Sequence, residues 1–264
     1  MKQVSLAKFF FSLVLLALAC LALGGCGGDP YATMSDQELI ERGAAEINTF
    51  NFKEARRIFQ SLRTRSPVGS EPWEKATFGQ ALSAQHQVPP TASQIREAQT
   101  LLEEMLEQAP DSPLAPRARL MLGRIAELID YPGDTVDLPT ARTHYQEVTQ
   151  RHAGQVIADE ALLYLAGTYI QQFEDRPAML QGLSLLEARL AQGDDFYFAG
   201  PMWEYLGNTY LLALHDKERA LACLLKADAI GLVNINEIGT TYWKMAELAE
   251  EIAPPQVAVA VRYY

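Results

Sequence analysis

Three cysteines and four histidines are the side chains of this 264-residue chain best suited to nucleophilic or metal chemistry. Their spacing argues against both. His144 and His152 stand eight residues apart, two turns and about 12 Å along one helix, too far to share a metal ion. His86 and His215 fall in separate turn-like stretches. Asp194-Asp195 could form an acid–base pair, but it lies between helix-period segments, where carboxylates cap helices and meet water. No HExxH pair, phosphate loop, dinucleotide glycine fingerprint or nucleophile elbow occurs. The sequence is therefore expected to be non-enzymatic, with no catalytic residue, no cofactor and no metal.

Of the cysteines, Cys26 has the telling surroundings. Lys2 and Lys8 bracket a short basic region, and residues 9–23 are almost unbroken apolar sequence. A bilayer span needs about 20 such residues, so this run fits a secretory leader better. An ordinary cleavage site or an uncleaved anchor would use the same run. Leu23-Gly24-Gly25-Cys26, however, resembles the bacterial lipobox, in which a small residue precedes a cysteine whose thiol receives a diacylglyceryl group. The resemblance implies a signal peptide at 1–25, lipidation at Cys26 and a tether at 26–34. Gly27 stands where an aspartate would signal retention in the inner membrane of a Gram-negative cell, which implies a lipoprotein of the outer membrane facing the periplasm. Cys20 lacks the leucine at the preferred position and would leave with the leader. Cys223 then remains, flanked by Ala222 and Leu224, and reads as a small buried hydrophobe rather than a reactive thiol.

The elements that position these residues are helical. Apolar residues make up 48% of the chain, enough for a packed core, and strand-period alternation is nearly absent. Ser35 with Glu38 forms a capping box, Asp111-Ser112-Pro113 is expected to open a helix, and Pro177 suits a first helical turn. Eleven or twelve helices are expected after the leader, in one array covering 35–264.

The helices come in related pairs. Trp203, Leu206 and Tyr210 share one helix face around Gly207, and Ala220, Leu224 and Ala227 follow on the next helix. A glycine inside a helix costs roughly 1 kcal/mol relative to alanine, so close approach of the second helix is expected there, with Ala220 as its small partner. Leu39, Gly43, Ala55, Phe59, Leu62 and Pro67 keep the same order. So do Phe78-Gly79 with Ala98, Leu102, Met105 and Pro110; Leu122-Gly123 with Ala141, Tyr145 and Val148; and Leu165-Ala166 with Tyr169, Gly182 and Leu186. Tyr242-Trp243-Lys244-Met245-Ala246 starts a sixth unit, broken by Pro254-Pro255 before a short second helix from Val257. This pattern resembles the tetratricopeptide (TPR) repeat and implies an all-α, TPR-like solenoid of about five to six antiparallel helical hairpins. Positions 43, 79, 123, 166 and 207 are spaced by 36, 44, 43 and 41 residues, against about 34 in a strict repeat. The excess is expected in long turns at 86–92, 131–137 and 172–177.

The TPR resemblance also implies a binding groove lined by the first helices of successive repeats. Carried onto this sequence, the groove positions are Trp73, Gln80, Arg117, Arg124, Glu127, Glu160, Gln171, Glu204 and Asn208. Arginines mixed with acids and amides would suit an extended peptide or a helix. Residues 51–62 with Pro67 further resemble the opening repeat of TPR lipoproteins of the outer-membrane β-barrel assembly complex and of the Tol-Pal-associated cell-division coordinator. That likeness implies a lipid-anchored scaffold for protein–protein interactions in the cell envelope. A small-ligand-binding or transport-accessory lipoprotein and an outer-membrane assembly component are the alternatives. The net charge of −11, which becomes −13 without residues 1–25, disfavours both nucleic acid and anionic lipid headgroups as partners.

Overall fold

A computed structural model describes residues 29–172, 174–232 and 238–264. The leader and Cys26 lie outside the described residues. Those described hold twelve α-helices and no strand: α1 (Asp36–Asn48), α2 (Phe52–Arg65), α3 (Glu71–Gln85), α4 (Ala92–Gln108), α5 (Ala115–Glu127), α6 (Leu138–Arg151), α7 (Val156–Ile170), α8 (Arg176–Leu190), α9 (Ala199–Leu212), α10 (Lys217–Ile230), α11 (Ile238–Glu251) and α12 (Val257–Tyr263). None of them is long and apolar enough to cross a membrane. The chain divides into two compact units, the first ending at Gln87 and the second beginning at Val88.

Polar caps set the helix starts. Ser35 and Glu38 form the expected reciprocal box on α1, with Ser35 N donating to Glu38 Oε2 at 2.7 Å. Thr91 and Gln94 build a second box on α4. Asp137, Asp175 and Asp216 accept from the backbone N–H three residues on, opening α6, α8 and α10. Each such bond satisfies a donor that the first helical turn leaves orphaned. The expected start at Asp111-Ser112-Pro113 is displaced. Two tight turns, Ser112 N to Ala109 O and Ala115 N to Ser112 O, delay α5 to Ala115, and Pro116 rather than Pro113 occupies its first turn.

In the first unit, α1, α2 and α3 pack around one aromatic ring. A Cβ added at Gly43 of α1 would lie 2.5 Å from Phe59 Cζ, and one at Gly79 of α3 would lie 2.6 Å from it. The two glycines thus leave the space that the Phe59 ring fills. Tyr31, inside the segment expected as a tether, is buried in this core, and its hydroxyl donates to Glu54 at 2.6 Å.

In the second unit α4 packs on α5, and α5/α6, α7/α8, α9/α10 and α11/α12 are hairpins, with α5 also meeting α7. The longest turn is 128–137, between α5 and α6. Leu206 and Tyr210 are buried as expected, while Trp203 is only partly buried. At Gly207 an added Cβ would meet Leu224 Cγ at 2.8 Å and the Ala220 carbonyl oxygen at 3.2 Å. The close partner is therefore chiefly the Leu224 side chain, with the Ala220 backbone behind it. Cys223 is buried, and its thiol is pushed up to about 11 by burial and by Glu187. Asp228 of α10 accepts from Tyr242 of α11 at 2.9 Å and from Tyr263 of α12 at 2.6 Å, fastening the last hairpin.

Candidate functional site

Three helices of the second unit turn the same kind of face toward one open cleft of about 370 Å³. Helix α5 supplies Arg124 and Glu127. Helix α7 supplies Leu163, Tyr164 and Gly167, and α9 supplies Pro201, Glu204, Tyr205 and Asn208. The steps of three and four residues within each helix put these side chains on single faces.

The α5 wall is fixed by a buried network. Tyr145 of α6 is fully buried and donates its hydroxyl to Glu127 Oε2 at 2.7 Å. Arg124 donates to the same oxygen at 2.6 Å. Its guanidinium lies 4.4 Å from the centroid of the Tyr164 ring, a cation–π distance. The Tyr145 and Tyr164 rings stand 5.7 Å apart. Tyr145 reaches Glu127 because Gly123 leaves room: a Cβ there would collide with Tyr145 Cε1. Burial opposes the Arg124 charge, but Glu127, Tyr145 and Tyr164 outweigh it and hold its pKa above the ordinary value. Burial pushes the Tyr145 hydroxyl strongly up, and hydrogen bonding to Glu127 adds to it. Both groups thus keep their protons, and the wall is a fixed arrangement of charge.

The opposite wall is less committed. Glu204 is half-buried and has no hydrogen-bond or ion-pair partner among the described residues. Asn208 accepts from Lys244 Nζ at 3.2 Å, leaving its amide N–H groups for another acceptor. Burial, and then the Glu127 charge, raise the Tyr205 pKa, so its hydroxyl stays a donor. Gly167 forms open floor between Tyr164 and Tyr205; an added Cβ would come no nearer than 3.5 Å to the Tyr205 hydroxyl.

The nine groove residues named from sequence divide accordingly. Arg124, Glu127, Glu204 and Asn208 line the cleft. Arg117 and Glu160 pair with each other at 2.7 Å, two helix turns before Arg124 on α5 and one turn before Tyr164 on α7. Gln171, at the end of α7, is exposed and outside the cleft. Trp73 and Gln80 belong to the first unit and are 2% and 5% exposed, with the Arg63 guanidinium 5.9 Å from the Trp73 ring. Tyr145, Tyr164, Gly167 and Tyr205 were not legible as site residues. Tyr164 follows Glu160 by four and Tyr205 adjoins Glu204, and aromatic residues beside groove positions are the signal that could have found them. Among the described residues no group of three or more His, Cys, Asp or Glu side chains is placed to hold a metal.

No protein-family model and no curated protein matches the sequence. Solved structures do. The C-terminal part of a TPR repeat-containing protein from Cytophaga hutchinsonii superposes with a TM-score of 0.55 at 15% identity, over 85% of this chain and 76% of that one. The fold is TPR-like. BtubC (BKLC) from P. vanneervenii gives a TM-score of 0.52 at 16% identity, over 87% of this chain and 88% of that one. Identities this low establish the fold alone.

Proposed function

We propose that this protein is a lipid-anchored scaffold of the cell envelope, facing the periplasm from the outer membrane, and that the α5–α7–α9 cleft holds a segment of another protein. The observation that carries the binding role is Glu204: a half-buried carboxylate without a described partner, on the rim of an aromatic floor. Its complement is a lysine or arginine side chain of the partner, seated over Tyr205 and paired with Glu204 while the partner's backbone meets Asn208. The acidic net charge of the chain favours such a partner. Anchoring is supported by the apolar run at 9–23 and by the Leu23–Cys26 sequence. The likeness of residues 51–62 to the opening repeat of envelope TPR lipoproteins makes an outer-membrane assembly component one form of this role.

The cleft's volume lies at the low end of small-molecule sites, about 300–1,000 Å³, which is the observation favouring a small ligand instead. Its openness along three helices argues for a longer segment. A photo-crosslinking residue introduced at Tyr205, with Gln171 as a control outside the cleft, separates the two in growing cells. The scaffold role expects protein adducts at 205 and none at 171. A metabolite copurifying with the protein, with no adduct at 205, would transfer the role to small-ligand binding. Palmitate labelling tests the anchor: Cys26→Ala is expected to abolish it, and a Cys26→Ala chain still labelled would contradict lipidation.

A further inference from the structure

Charge is distributed very unevenly along this chain. Residues 88–264 hold 13 basic and 25 acidic side chains, whereas 29–87 hold seven and eight. Five of those seven basic residues, Lys53, Arg56, Arg57, Arg63 and Arg65, lie on α2 alone, with Glu54 as that helix's one acid. Lys53, Arg57, Gln60 and Thr64 follow one another at i, i+4, i+7 and i+11 and are all exposed, so they form a single outward stripe. Arg56 flanks the stripe in a half-exposed position. Glu54 is shared between Arg42, 3.8 Å away, and Arg57, 3.9 Å away, and neutralises part of the stripe's charge. Arg65 is taken up by Asp36 at 2.7 Å and by the Met34 carbonyl, so the outward-facing basic stripe is the Lys53–Arg57 end, where both side chains are exposed.

The chain reaches this helix directly from its N-terminal side. Asp29 accepts from the Ser61 hydroxyl on α2 and from Tyr31 N at 3.0 Å. An open pocket of about 530 Å³ beside it is lined by Arg57, Gln60, Ser61 and Thr64. Only three residue steps separate Cys26 from Asp29, at most about 10 Å of chain. A bilayer holding the Cys26 lipid would therefore lie about one Debye length from α2 at physiological ionic strength.

We propose that the Lys53–Arg56–Arg57 face of α2 docks on anionic lipid headgroups and orients the first unit against the membrane; this rests on the lipid-anchor reading above. The acidic excess beyond residue 88 disfavours contact of that part of the chain with the same surface. A basic side chain near such a surface contributes enough that its loss weakens docking about fivefold.

The lipidated protein, labelled with a fluorophore at Gln60→Cys, is reconstituted on vesicles of phosphatidylcholine or of phosphatidylcholine with phosphatidylglycerol, each carrying a headgroup-labelled energy acceptor. Docking predicts retention on both vesicles and greater transfer on the anionic ones. The excess should be lost in about 0.5 M salt and in Lys53→Glu/Arg56→Glu/Arg57→Glu. The milder Lys53→Gln/Arg57→Gln pair, its fold checked by circular dichroism, should reduce docking roughly twenty- to thirtyfold. Retention on both vesicles with equal transfer overturns the docking proposal while leaving the anchor intact. Retention on neither overturns the anchor and the proposal with it. Transfer indifferent to anionic lipid but altered by an acidic polymer would assign the face to a macromolecule instead, and would also overturn it.

Discussion

Gly123 and Gly167 lie on neighbouring helices and should respond oppositely to the same substitution. Alanine is the better helix former by roughly 1 kcal/mol, so a gain is the default. At Gly167 an added methyl meets only ordinary van der Waals contact, and Gly167→Ala should stabilise by about 0.5–1 kcal/mol. At Gly123 the methyl would strike the buried Tyr145 ring, and Gly123→Ala should destabilise by about 1–3 kcal/mol. Urea denaturation of the two variants gives both signs; a gain at Gly123 would mean that Tyr145 is not held as described. Sequence spacing identified Gly123 and Tyr145 as partners in packing. It gave no sign of the hydroxyl bond to Glu127, because that bond depends on how far the ring extends past the glycine, which residue types alone do not encode.

Titration adds a second prediction at this scale. Burial raises the Cys223 thiol to about 11, and burial with carboxylate acceptors raises Tyr31 and Tyr263 to about 12. The fold favours the protonated form of each, so the unfolded chain releases these protons first. Their stabilising contribution is complete below the ordinary thiol value of 9.0 and is lost as pH rises toward 11–12. The urea midpoint should fall between about pH 8 and about pH 10.5. A midpoint that holds or rises over that interval would contradict the burial of these groups.

Helix pairing was the most legible feature at the scale of elements, because small and aromatic residues recur at fixed offsets where two helices approach. Gly79 is the exception: expected to pair with Ala98, it meets the Phe59 ring of α2 instead, so α3 packs within the first unit on the helix before it. Turn length was legible at one of the three places expected: the extra residues between Gly123 and Ala166 are largely accounted for by the ten-residue turn 128–137. The turns at 86–91 and 171–175 have only six and five residues, and the eight-residue turn 191–198, which was not expected, carries the excess before Gly207. Helix starts were less so. Ser35–Glu38 carries its signature in four residues, whereas Asp137, Asp175 and Asp216 cap helices without a glutamate three residues on to advertise them. Groove residues were legible only as far as the repeat frame holds. It placed Arg124, Glu127, Glu204 and Asn208 on the cleft, but extended to the first unit it selected Trp73 and Gln80, which are buried. The final hairpin offers a test of how one side chain fastens an element. Asp228 receives hydroxyls from both α11 and α12, and α12 is only seven residues long. Asp228→Ala should leave two tyrosines without their acceptor and raise the hydrogen-exchange rates of α12 amides about tenfold or more. Unchanged exchange would show that apolar packing of Ala260 and Tyr263 suffices.

For the whole molecule, the fold supplies rigid first helices, and the cleft between three of them supplies an aromatic floor with one uncommitted carboxylate. A TPR-like framework has no intrinsic chemistry; specificity has to come from such side chains. Holding a partner segment in this cleft is the role proposed for the molecule. It is tested most directly by the affinity of a partner segment, identified by crosslinking at position 205, for the wild-type protein and three variants. Glu204→Gln should weaken binding about tenfold or more. Gly167→Leu, which fills the cleft floor while keeping the helix, should do the same, and Gln171→Ala should leave affinity unchanged. Equal affinity for all four proteins would place the partner elsewhere and contradict the account.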